Sequence, residues 1–433
     1  MAYLRIRGEQ QKIPRFPHHK NFVYRCNEFF HPQNARSVFT ADYCLELRQI
    51  LRGFRYGCVI PRDLLIDPTS ACNLRCKGCW AADYDKGDSL SYDKLDEIFN
   101  ECEKLLITDI LMTGGEPMIR REDIFKLARK HKKLFFGVFT NATLIDEKVA
   151  DEIASIPNLT MFISIEGSKE ETDFRRGEGT YDRCLNAMKL LKDRDVAFAF
   201  STCYHANNYK TIASKEYIEW LQEQGAWMGW MFNYAPIGKD ADLSLVCSPE
   251  QRAYVKEQIE KYCEETNFTI IDFWNMGHVA TGCVAAANGF IHINAKGDVE
   301  PCAFCHYSDS NIHEMSLPQA LQSPFFRAFR DAQPFSDNPL RSCPMIDVPE
   351  AIVEVTRKGN AHSTHYEAPE TAEELASKTR DIANKWEPEA RRLKEKLSPK
   401  WKQIFTEMSR LNKIRIHSLN NKDPKSITHK KRK

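Results

Sequence analysis

A short run of three cysteines constrains this chain more than any other feature of its sequence. Cys72, Cys76 and Cys79 lie within residues 70–80 of a chain of 433 residues. Thiolates at this spacing can hold three of the four irons of a [4Fe-4S] cluster and leave the fourth iron open to a ligand. A structural zinc ion is the alternative, but zinc needs four protein ligands and no fourth Cys or His follows nearby.

A second motif, Gly-Gly-Glu-Pro at residues 114–117, follows one predicted strand and helix after the cysteine run. Glycines let the backbone approach a ligand closely, proline stiffens a turn, and a glutamate offers an acceptor to an ammonium group. The cysteine run and this motif together resemble the radical S-adenosylmethionine (radical SAM) superfamily. The resemblance implies a SAM-binding [4Fe-4S] cluster and S-adenosylmethionine as cofactors.

Two later segments fit the same resemblance. Residues 163–167 end a predicted fourth strand, and residues 174–177 precede the helix that follows it. By resemblance, Ser164 and Arg176 would contact the ribose or the methionine carboxylate of the cofactor. For Arg176 a solvated loop position is the alternative. The expected cofactor-binding residues are Gly114, Gly115, Glu116, Pro117, Asn141, Ser164 and Arg176.

Short apolar runs indicate an α/β fold. Each run is rich in β-branched or aromatic residues and is bounded by turn residues, which is typical of buried parallel strands. Helical patterns with one apolar face lie between them. We therefore expect a partial (β/α)6 TIM-type barrel with its chemistry at the carboxyl ends of the strands. The runs cover residues 62–67, 107–112, 134–139, 160–165, 196–202 and 227–234.

A second group of cysteines follows the predicted barrel. Cys283 is separated from Gly297 by thirteen residues, and Gly297 from Cys302 by four. The intervening residues 290–300 alternate and carry a Lys-Gly-Asp turn, which predicts a β-hairpin that brings Cys283 and Cys302 together. This spacing resembles the SPASM and twitch extensions, which hold auxiliary iron-sulfur clusters.

The region has fewer cysteines than a two-cluster SPASM domain needs, so we expect one auxiliary [4Fe-4S] cluster. Its expected ligands are Cys283, Cys302 and Cys343, with Cys305 as the fourth. If Cys305 is not a ligand, the auxiliary cluster has an open iron that could bind substrate. A zinc ribbon of reduced thiols is the alternative for the whole group.

The sequence divides into a core and extensions. From about residue 368 to residue 411 the sequence is polar with helical periodicity, and its apolar side chains could dock on the barrel or face a partner or a membrane surface. The expected divisions are an N-terminal helical extension at 1–60, the radical SAM core at 61–245, a SPASM/twitch-like auxiliary cluster domain at 246–360, a helical C-terminal extension at 361–418 and a basic disordered tail at 419–433.

Composition favours an enzyme that works in the cytoplasm. The chain has fifteen cysteines but no apolar signal region at its N-terminus, so we expect reduced thiols. No apolar run approaches the length of a membrane span. The formal net charge is +1, which gives no reason to expect a nucleic-acid partner. The resemblance implies reduced ferredoxin or flavodoxin as electron donor and an organic substrate, which is a small molecule, a lipid or a peptide.

Three functions are compatible with these sequence features. The first is reductive cleavage of S-adenosylmethionine to a 5′-deoxyadenosyl radical that takes hydrogen from the substrate, with the auxiliary cluster oxidising the substrate radical. The second is an iron-sulfur electron carrier, and the third is a zinc-stabilised interaction protein. Polar and aromatic residues expected near the barrel mouth, and therefore near the substrate, are Tyr204, His205, Asn207, Asn233, Tyr234, Asp272, Trp274 and His278.

Overall fold

The computed structural model describes residues 3–6, 9–12, 41–82, 85–238, 240–266 and 268–420. Most of the predicted basic tail and most of residues 1–40 lie outside these ranges. Within the predicted N-terminal helical extension, a helix covers Ala41–Tyr56.

The strands are numbered in chain order, and β1 pairs with β2 in a hairpin separate from the main sheet. The strands are β1 Tyr3–Ile6, β2 Glu9–Lys12, β3 Asp63–Ile66, β4 Asp109–Met112, β5 Phe135–Thr140, β6 Leu159–Ser164, β7 Phe198–Tyr204, β8 Ala226–Asn233, β9 Thr269–Asp272, β10 Phe290–Ile293, β11 Val299–Glu300, β12 Tyr307–Ser308 and β13 His362–Ser363.

Helices follow most strands of the main sheet, and short 3-10 helices cover Pro117–Arg120 and Leu243–Leu245. The α-helices are α1 Ala41–Tyr56, α2 Tyr92–Leu105, α3 Arg121–Lys130, α4 Glu147–Ala154, α5 Lys169–Arg176, α6 Thr180–Asp193, α7 Tyr209–Ile212, α8 Lys215–Gln224, α9 Pro249–Glu265, α10 Gly277–Ala280, α11 Leu317–Ala320, α12 Pro324–Asp331, α13 Pro349–Gly359, α14 Ala372–Lys396 and α15 Pro399–Asn420.

The main sheet runs in the order β11-β10-β3-β4-β5-β6-β7-β8-β9. Every neighbouring pair from β10 to β9 is parallel, and β11 is antiparallel to β10. The six predicted strands, β3 to β8, are therefore confirmed as a parallel core. Two further parallel strands, β9 and β10, flank them. The sheet thus continues across the division predicted between residues 245 and 246.

The parallel strands are buried on both faces, which explains their nearly continuous apolar sequences. In β4, Leu111 faces the inside of the curved sheet, while Ile110 packs against the helices. In β6, Phe162 likewise faces the inside of the sheet, while Ile163 packs on the helical side. Phe273, just after β9, contacts Phe290 of β10 with ring centroids 5.6 Å apart, so the two ends of the parallel set approach each other.

The predicted hairpin is confirmed and also has a second role. His292 of β10 pairs with Glu300 of β11, as the alternation predicts. Gly297 at the turn has φ +92°, a conformation that favours glycine. In addition, β10 pairs in parallel with β3, the first strand of the barrel. The hairpin therefore belongs to the barrel sheet rather than to a detached module.

The C-terminal extension is docked through α14. Trp386 is 2% exposed, and its Nε1 donates to the carbonyl of Leu340 at 2.8 Å. The guanidinium of Arg252 lies 4.1 Å from the centroid of the indole. In α15, by contrast, Met408, Leu411 and Ile414 are exposed. No helix in the described ranges has the length and apolar character needed to cross a membrane.

The two glycines after β4 allow a close contact between backbones. Gly114 has φ +105°, and a Cβ on Gly115 would lie 2.0 Å from the carbonyl oxygen of Ala71. The backbone amide of Gly115 donates to the carbonyl oxygen of Thr69 at 3.0 Å, and the backbone amide of Glu116 donates to the carbonyl oxygen of Ala71 at 2.8 Å. The sequence reasoning assigned these glycines to the approach of a ligand. Here they let the turn pack against the loop that carries the three cysteines.

Replacing Gly115 with Ala should therefore displace the cysteine loop. We expect Gly115→Ala to destabilise the protein by about 2 kcal/mol, because the new methyl group overlaps backbone that cannot rotate away. It should also lower the iron retained per chain after anaerobic reconstitution. Thermal unfolding and iron analysis measure the two effects.

Gly87→Ala is the matched control, because the nearest atom to a Cβ there, Asp85 Oδ1, is 3.5 Å away. Iron content and unfolding temperature equal to wild type in Gly115→Ala would show that the two loops do not depend on this contact.

Candidate iron-sulfur and cofactor site

A cavity opens at the carboxyl ends of the parallel strands and extends into the inside of the sheet. It contains about 1230 Å³ of empty space, part of which is open to solvent. Cys72, Cys76 and Cys79 all line it. The other predicted residues on its wall are Gly114, Gly115, Glu116, Asn141, Ser164 and Arg176, whereas Pro117 is not on the wall.

The three thiols fit a cluster better than a single ion. In the described ranges, no group of three or more His, Cys, Asp or Glu side chains converges closely enough to hold one metal ion. A [4Fe-4S] cluster takes each thiolate on a different iron and so needs sulfurs that surround a larger object. The backbone amide of Leu74 donates to Cys72 Sγ at 3.4 Å, an arrangement that favours a thiolate.

Arginine charge lies beside these thiols. Burial raises the pKa of Cys76, and the nearby Arg176 and Arg175 act against that rise. Both guanidiniums face the cavity next to the cysteine loop. The carbonyl of Arg175 also accepts from the amide of Lys77 at 2.8 Å, which anchors the loop to the end of α5. A thiolate-ligated cluster would therefore bind on a positively charged side of the cavity.

Glu116 is fully buried and already has protein donors. Its Oε1 accepts from Thr140 Oγ1 at 2.6 Å and from the Met118 amide at 3.0 Å. Its Oε2 accepts from the Asn141 amide at 2.7 Å. Burial raises the pKa of Glu116, and these hydrogen bonds oppose the rise. The carboxylate thus joins the turn after β4 to the end of β5, in addition to facing the cavity.

Asn141 supports the cysteine loop directly. Its Nδ2 donates to Asn73 Oδ1 at 2.9 Å, and its Oδ1 accepts from the Thr143 amide at 3.0 Å. Asn73 lies beside Cys72 in the chain, so the side-chain amide of Asn141 fixes the start of the cysteine loop. Ser164, at the end of β6, lines the same cavity.

Glu166 lies within residues 163–167, a segment in which the sequence analysis assigns a role to Ser164 but none to Glu166. It is 0% exposed and accepts from Arg175 Nη1 at 2.8 Å and from Arg176 Nε at 2.7 Å. Its Oε2 accepts from the Cys203 amide at 3.0 Å. Burial alone would raise the pKa of Glu166, but Arg176 and Arg175 outweigh it and the pKa is lowered. Both arginines are therefore held in place by one buried carboxylate.

The cysteines of the second group lie near one another. Cys302, Cys305 and Cys343 are buried, and Cys283 is half-buried. Burial raises the pKa of Cys305, and the charges of Cys302, Cys343 and Cys283 raise it further because all three lie close by. Four neighbouring thiols supply a complete ligand set for a [4Fe-4S] cluster. Cys305 therefore lies close to the other three thiols, and its role as a fourth ligand stays a prediction.

A buried ionic chain connects the two cysteine regions. His292 Nε2 lies 3.0 Å from Asp67 Oδ1, and His292 Nδ1 lies 2.6 Å from Glu300 Oε2. Burial disfavours a charged imidazole, but the two carboxylates outweigh it and raise the pKa of His292 to about 10. Asp67 precedes the first cysteine loop and Glu300 precedes Cys302, so this chain ties the two loops together.

Aromatic rings form the wall between the two cysteine groups. The indole of Trp80, next to Cys79, lies 5.7 Å from the ring of Phe304, which lies between Cys302 and Cys305 in the chain. Phe304 contacts Phe232 at 5.8 Å. The cavity therefore has one cysteine loop on each side. The aromatic residues on its wall are Trp80, Phe139, Trp230, Phe232, Tyr234, Phe273, Phe290 and Phe304.

The residues predicted near the substrate divide into two sets. Asn233 and Tyr234 line the cavity. Tyr204 and Asp272 instead belong to a buried network in which the Tyr204 hydroxyl donates to Asp272 Oδ1 at 3.2 Å. Asp272 also accepts from Asn275 Nδ2 at 2.7 Å. Those outside the cavity wall are Tyr204, His205, Asn207, Asp272, Trp274 and His278.

Sequence reasoning missed Trp230 and the phenylalanines of the wall, whereas Cys203, which follows a strand, was expected to be able to face the site and does line the cavity. The missed residues carry no motif, and strand periodicity alone does not tell the inside of a curved sheet from the helical side. The available signal was alternation within β8, where Trp230 and Phe232 are two residues apart and therefore share one face. Their rings stack with centroids 5.9 Å apart and an angle of 9°.

Removing the charge of Glu166 should destabilise the folded protein. Glu166→Gln leaves two buried guanidiniums without an anionic partner, and we expect a loss of about 3 kcal/mol in the free energy of unfolding. Chemical denaturation at pH 7 measures it. Glu147→Gln is the matched control, because that carboxylate is 75% exposed in its ion pair with Arg194 and should change stability little. Equal small effects of both substitutions would contradict the assigned role of Glu166.

Comparison with known proteins supports both halves of the site. Residues 66–214 match the radical SAM superfamily, and residues 283–344 match SPASM, an iron-sulfur cluster-binding domain. An AdoMet-dependent heme synthase of Methanosarcina barkeri is 25% identical over 304 residues, which cover 63% of this chain and 86% of the relative. A PqqA peptide cyclase of Granulibacter bethesdensis is 23% identical, over 65% of this chain and 79% of the relative.

The fold is also shared with a solved structure. SuiB of Streptococcus suis bound to S-adenosylmethionine superposes with a TM-score of 0.55 at 17% identity, over 69% of this chain and 75% of SuiB. The two matched domains coincide with the two cysteine groups on either side of the cavity. The chain therefore carries a radical SAM domain, which implies a SAM-binding [4Fe-4S] cluster, and a SPASM domain, which implies an auxiliary cluster.

Proposed function

We propose that this chain cleaves S-adenosylmethionine reductively and uses the resulting 5′-deoxyadenosyl radical to take a hydrogen atom from an organic substrate in the aromatic cavity. The observation that carries the proposal is the shared cavity. The three thiols, the predicted cofactor residues other than Pro117 and the aromatic wall all line one space at the carboxyl ends of the strands. This is where barrels of parallel strands carry their chemistry.

The roles of individual residues follow from their contacts. Cys72, Cys76 and Cys79 would hold the cluster by three irons and leave the fourth to the cofactor. Arg175 and Arg176 offset the negative charge of the thiolates from a position fixed by Glu166. Fixed positive charge costs no reorganisation when the site is loaded.

The remaining predicted cofactor residues act in two ways. Gly114, Gly115 and Glu116 fix the turn against the cysteine loop, and Asn141 holds the residue beside Cys72. Ser164 lines the cavity and offers a hydroxyl to the ribose or carboxylate of the cofactor. Most of the motif thus positions the loop that binds the cluster.

The auxiliary site would be completed by Cys283, Cys302, Cys305 and Cys343. A cluster held by four thiolates has no open iron, so its expected task is electron transfer. It would accept the electron left on the substrate after hydrogen abstraction, which makes the net reaction an oxidation or a bond formation. Reduced ferredoxin or flavodoxin in the cytoplasm would supply the electron for the first cluster.

The enzyme proposal is favoured over the two other functions by the cavity itself. A carrier that only passes electrons needs no apolar chamber between its clusters. A zinc-stabilised protein needs ligands that converge on one ion, and no such group occurs in the described ranges. The chamber is the feature that an enzyme acting on an organic molecule requires.

Cysteine substitutions separate the two clusters. The protein is purified without oxygen, reconstituted with iron and sulfide, and reduced with dithionite. We expect about eight irons per wild-type chain, four for each cluster. Cys76→Ala should abolish 5′-deoxyadenosine formation from S-adenosylmethionine, because the cluster loses a ligand. Cys302→Ala should retain part of the cleavage but lose substrate turnover.

Cys263→Ala serves as the control, because Cys263 lies in α9 away from both groups. It should keep wild-type iron content and cleavage. Undiminished 5′-deoxyadenosine formation in Cys76→Ala would overturn the proposal, and iron without any cleavage in the wild type would favour the electron carrier.

A further inference from the structure

Two buried polar atoms on the cavity wall have no partner. Asn233 Oδ1 and Trp230 Nε1 are both inaccessible to solvent and make no hydrogen bond within the described residues. Asn233 is 5% exposed and Trp230 is 8% exposed. A buried polar group without a partner costs about 1–3 kcal/mol, so such groups in a binding cavity indicate contacts that a ligand completes.

The two atoms lie at different depths. Asn233 is the last residue of β8, at the end that meets the cysteine loop, and Trp230 is three residues earlier. Because a strand rises about 3.3 Å per residue, the two positions are about 10 Å apart along the strand. One offers an acceptor near the mouth, and the other offers an N–H donor deeper inside.

The charges on the cavity wall are already used within the protein. Arg175 and Arg176 are bound to Glu166. Glu116 accepts from its own neighbours. Burial raises the pKa of the Cys203 thiol to about 11, so it is neutral at pH 7. A charged substrate group in this space would lose its water and would find each charged side chain of the wall already bound to a protein partner, which is unfavourable.

The aromatic rings do not form a cage for a cation. A cation is attracted to exposed ring faces. Here rings contact one another instead: Trp230 stacks on Phe232, and Phe304 meets Trp274 in an edge-to-face contact with centroids 4.6 Å apart. The two arginines near the mouth also repel a cation. The wall therefore favours an apolar, uncharged body.

From these contacts we infer that the part of the substrate that enters the cavity is uncharged and largely apolar, and that it carries a hydroxyl or amide whose proton bonds to Asn233 Oδ1. Trp230 Nε1 donates to a second oxygen where the substrate reaches that depth. Asn233 and Trp230 are thus determinants of substrate specificity. This inference rests on the proposed function, which supplies the radical.

Small deuterated probes test the inference without knowledge of the natural substrate. Three probes share a benzylic CD₂ group and a similar size: benzyl alcohol is neutral, benzylammonium is a cation and phenylacetate is an anion. The 5′-deoxyadenosyl radical takes one deuterium atom, so a benzylic C–D bond breaks and a C5′–D bond forms. For benzyl alcohol, loss of one electron and of the hydroxyl proton from the resulting radical would yield benzaldehyde, and an oxidised cluster held by Cys283, Cys302, Cys305 and Cys343 would be the electron acceptor.

Mass spectrometry of 5′-deoxyadenosine measures the deuterium, and ligand-observed NMR of the reconstituted protein with S-adenosylmethionine measures binding separately. We expect at least tenfold more deuterium from benzyl alcohol than from either ion at equal concentration. Equal or greater transfer from benzylammonium or phenylacetate would overturn the inference. An absence of 5′-deoxyadenosine would count against the proposed function itself, whereas 5′-deoxyadenosine without deuterium from benzyl alcohol would count against the inference alone.

Variants locate the contact. Asn233→Leu keeps the size of the side chain but removes the acceptor, and it should reduce binding and deuterium transfer from benzyl alcohol about fivefold, the value of one neutral hydrogen bond. Asn233→Asp should increase transfer from benzylammonium, a gain that misfolding cannot imitate. If neither variant changes probe preference, Asn233 does not contact the substrate.

Tryptophan substitutions provide a matched pair on the same strand. Trp230→Phe removes the indole N–H from the cavity wall. It should reduce the binding of, and deuterium transfer from, probes that carry a second oxygen, such as 4-(hydroxymethyl)benzamide deuterated at the benzylic carbon. Trp227→Phe makes the same change at a residue that does not line the cavity and should leave transfer unchanged. Equal effects of the two substitutions would remove Trp230 from the recognition site.

Discussion

The backbone contact between the loop after β3 and the turn after β4 is the constraint on which the rest of the site depends. Without side chains at Gly114 and Gly115, the two segments approach closely enough to share hydrogen bonds. Glu116 and Asn141 extend this contact to the end of β5. Three consecutive strand ends thereby hold one cysteine loop, and every other group on the cavity wall is positioned relative to that loop.

Two kinds of side-chain interaction, buried ion pairs and aromatic contacts, join the two halves of the site. Buried charge connects them below the loops, where His292 lies between Asp67 and Glu300. Aromatic contact connects them at the cavity, through Trp80 and Phe304. Charge pairs in a dry interior require fixed geometry, whereas aromatic contacts such as this tilted pair are less directional. The combination fixes the two cysteine groups relative to each other and leaves an adaptable wall between them.

Features with local signals were predictable from the sequence. The six core strands follow from short apolar runs, and the hairpin at 290–300 follows from alternation and its turn. Cysteine spacing and the Gly-Gly-Glu-Pro motif identify the cofactor loop. The pairing of β10 with β3 was not predictable, because it joins segments far apart in the chain. For the same reason the role of Glu166 and the aromatic wall, which depend on which strand face points inward, needed the structure.

The pairing of β10 with β3 also has a consequence for biosynthesis. β3 emerges from the ribosome long before β10, and until β10 arrives its outer edge presents unpaired amide and carbonyl groups. Contacts between such distant segments form slowly because a long loop must close first. The loop with Cys72, Cys76 and Cys79 follows β3 directly, so its thiols remain open to solvent, oxidants and iron donors during this interval. A cluster inserted during this interval would reach the loop before β10 completes the parallel set of strands.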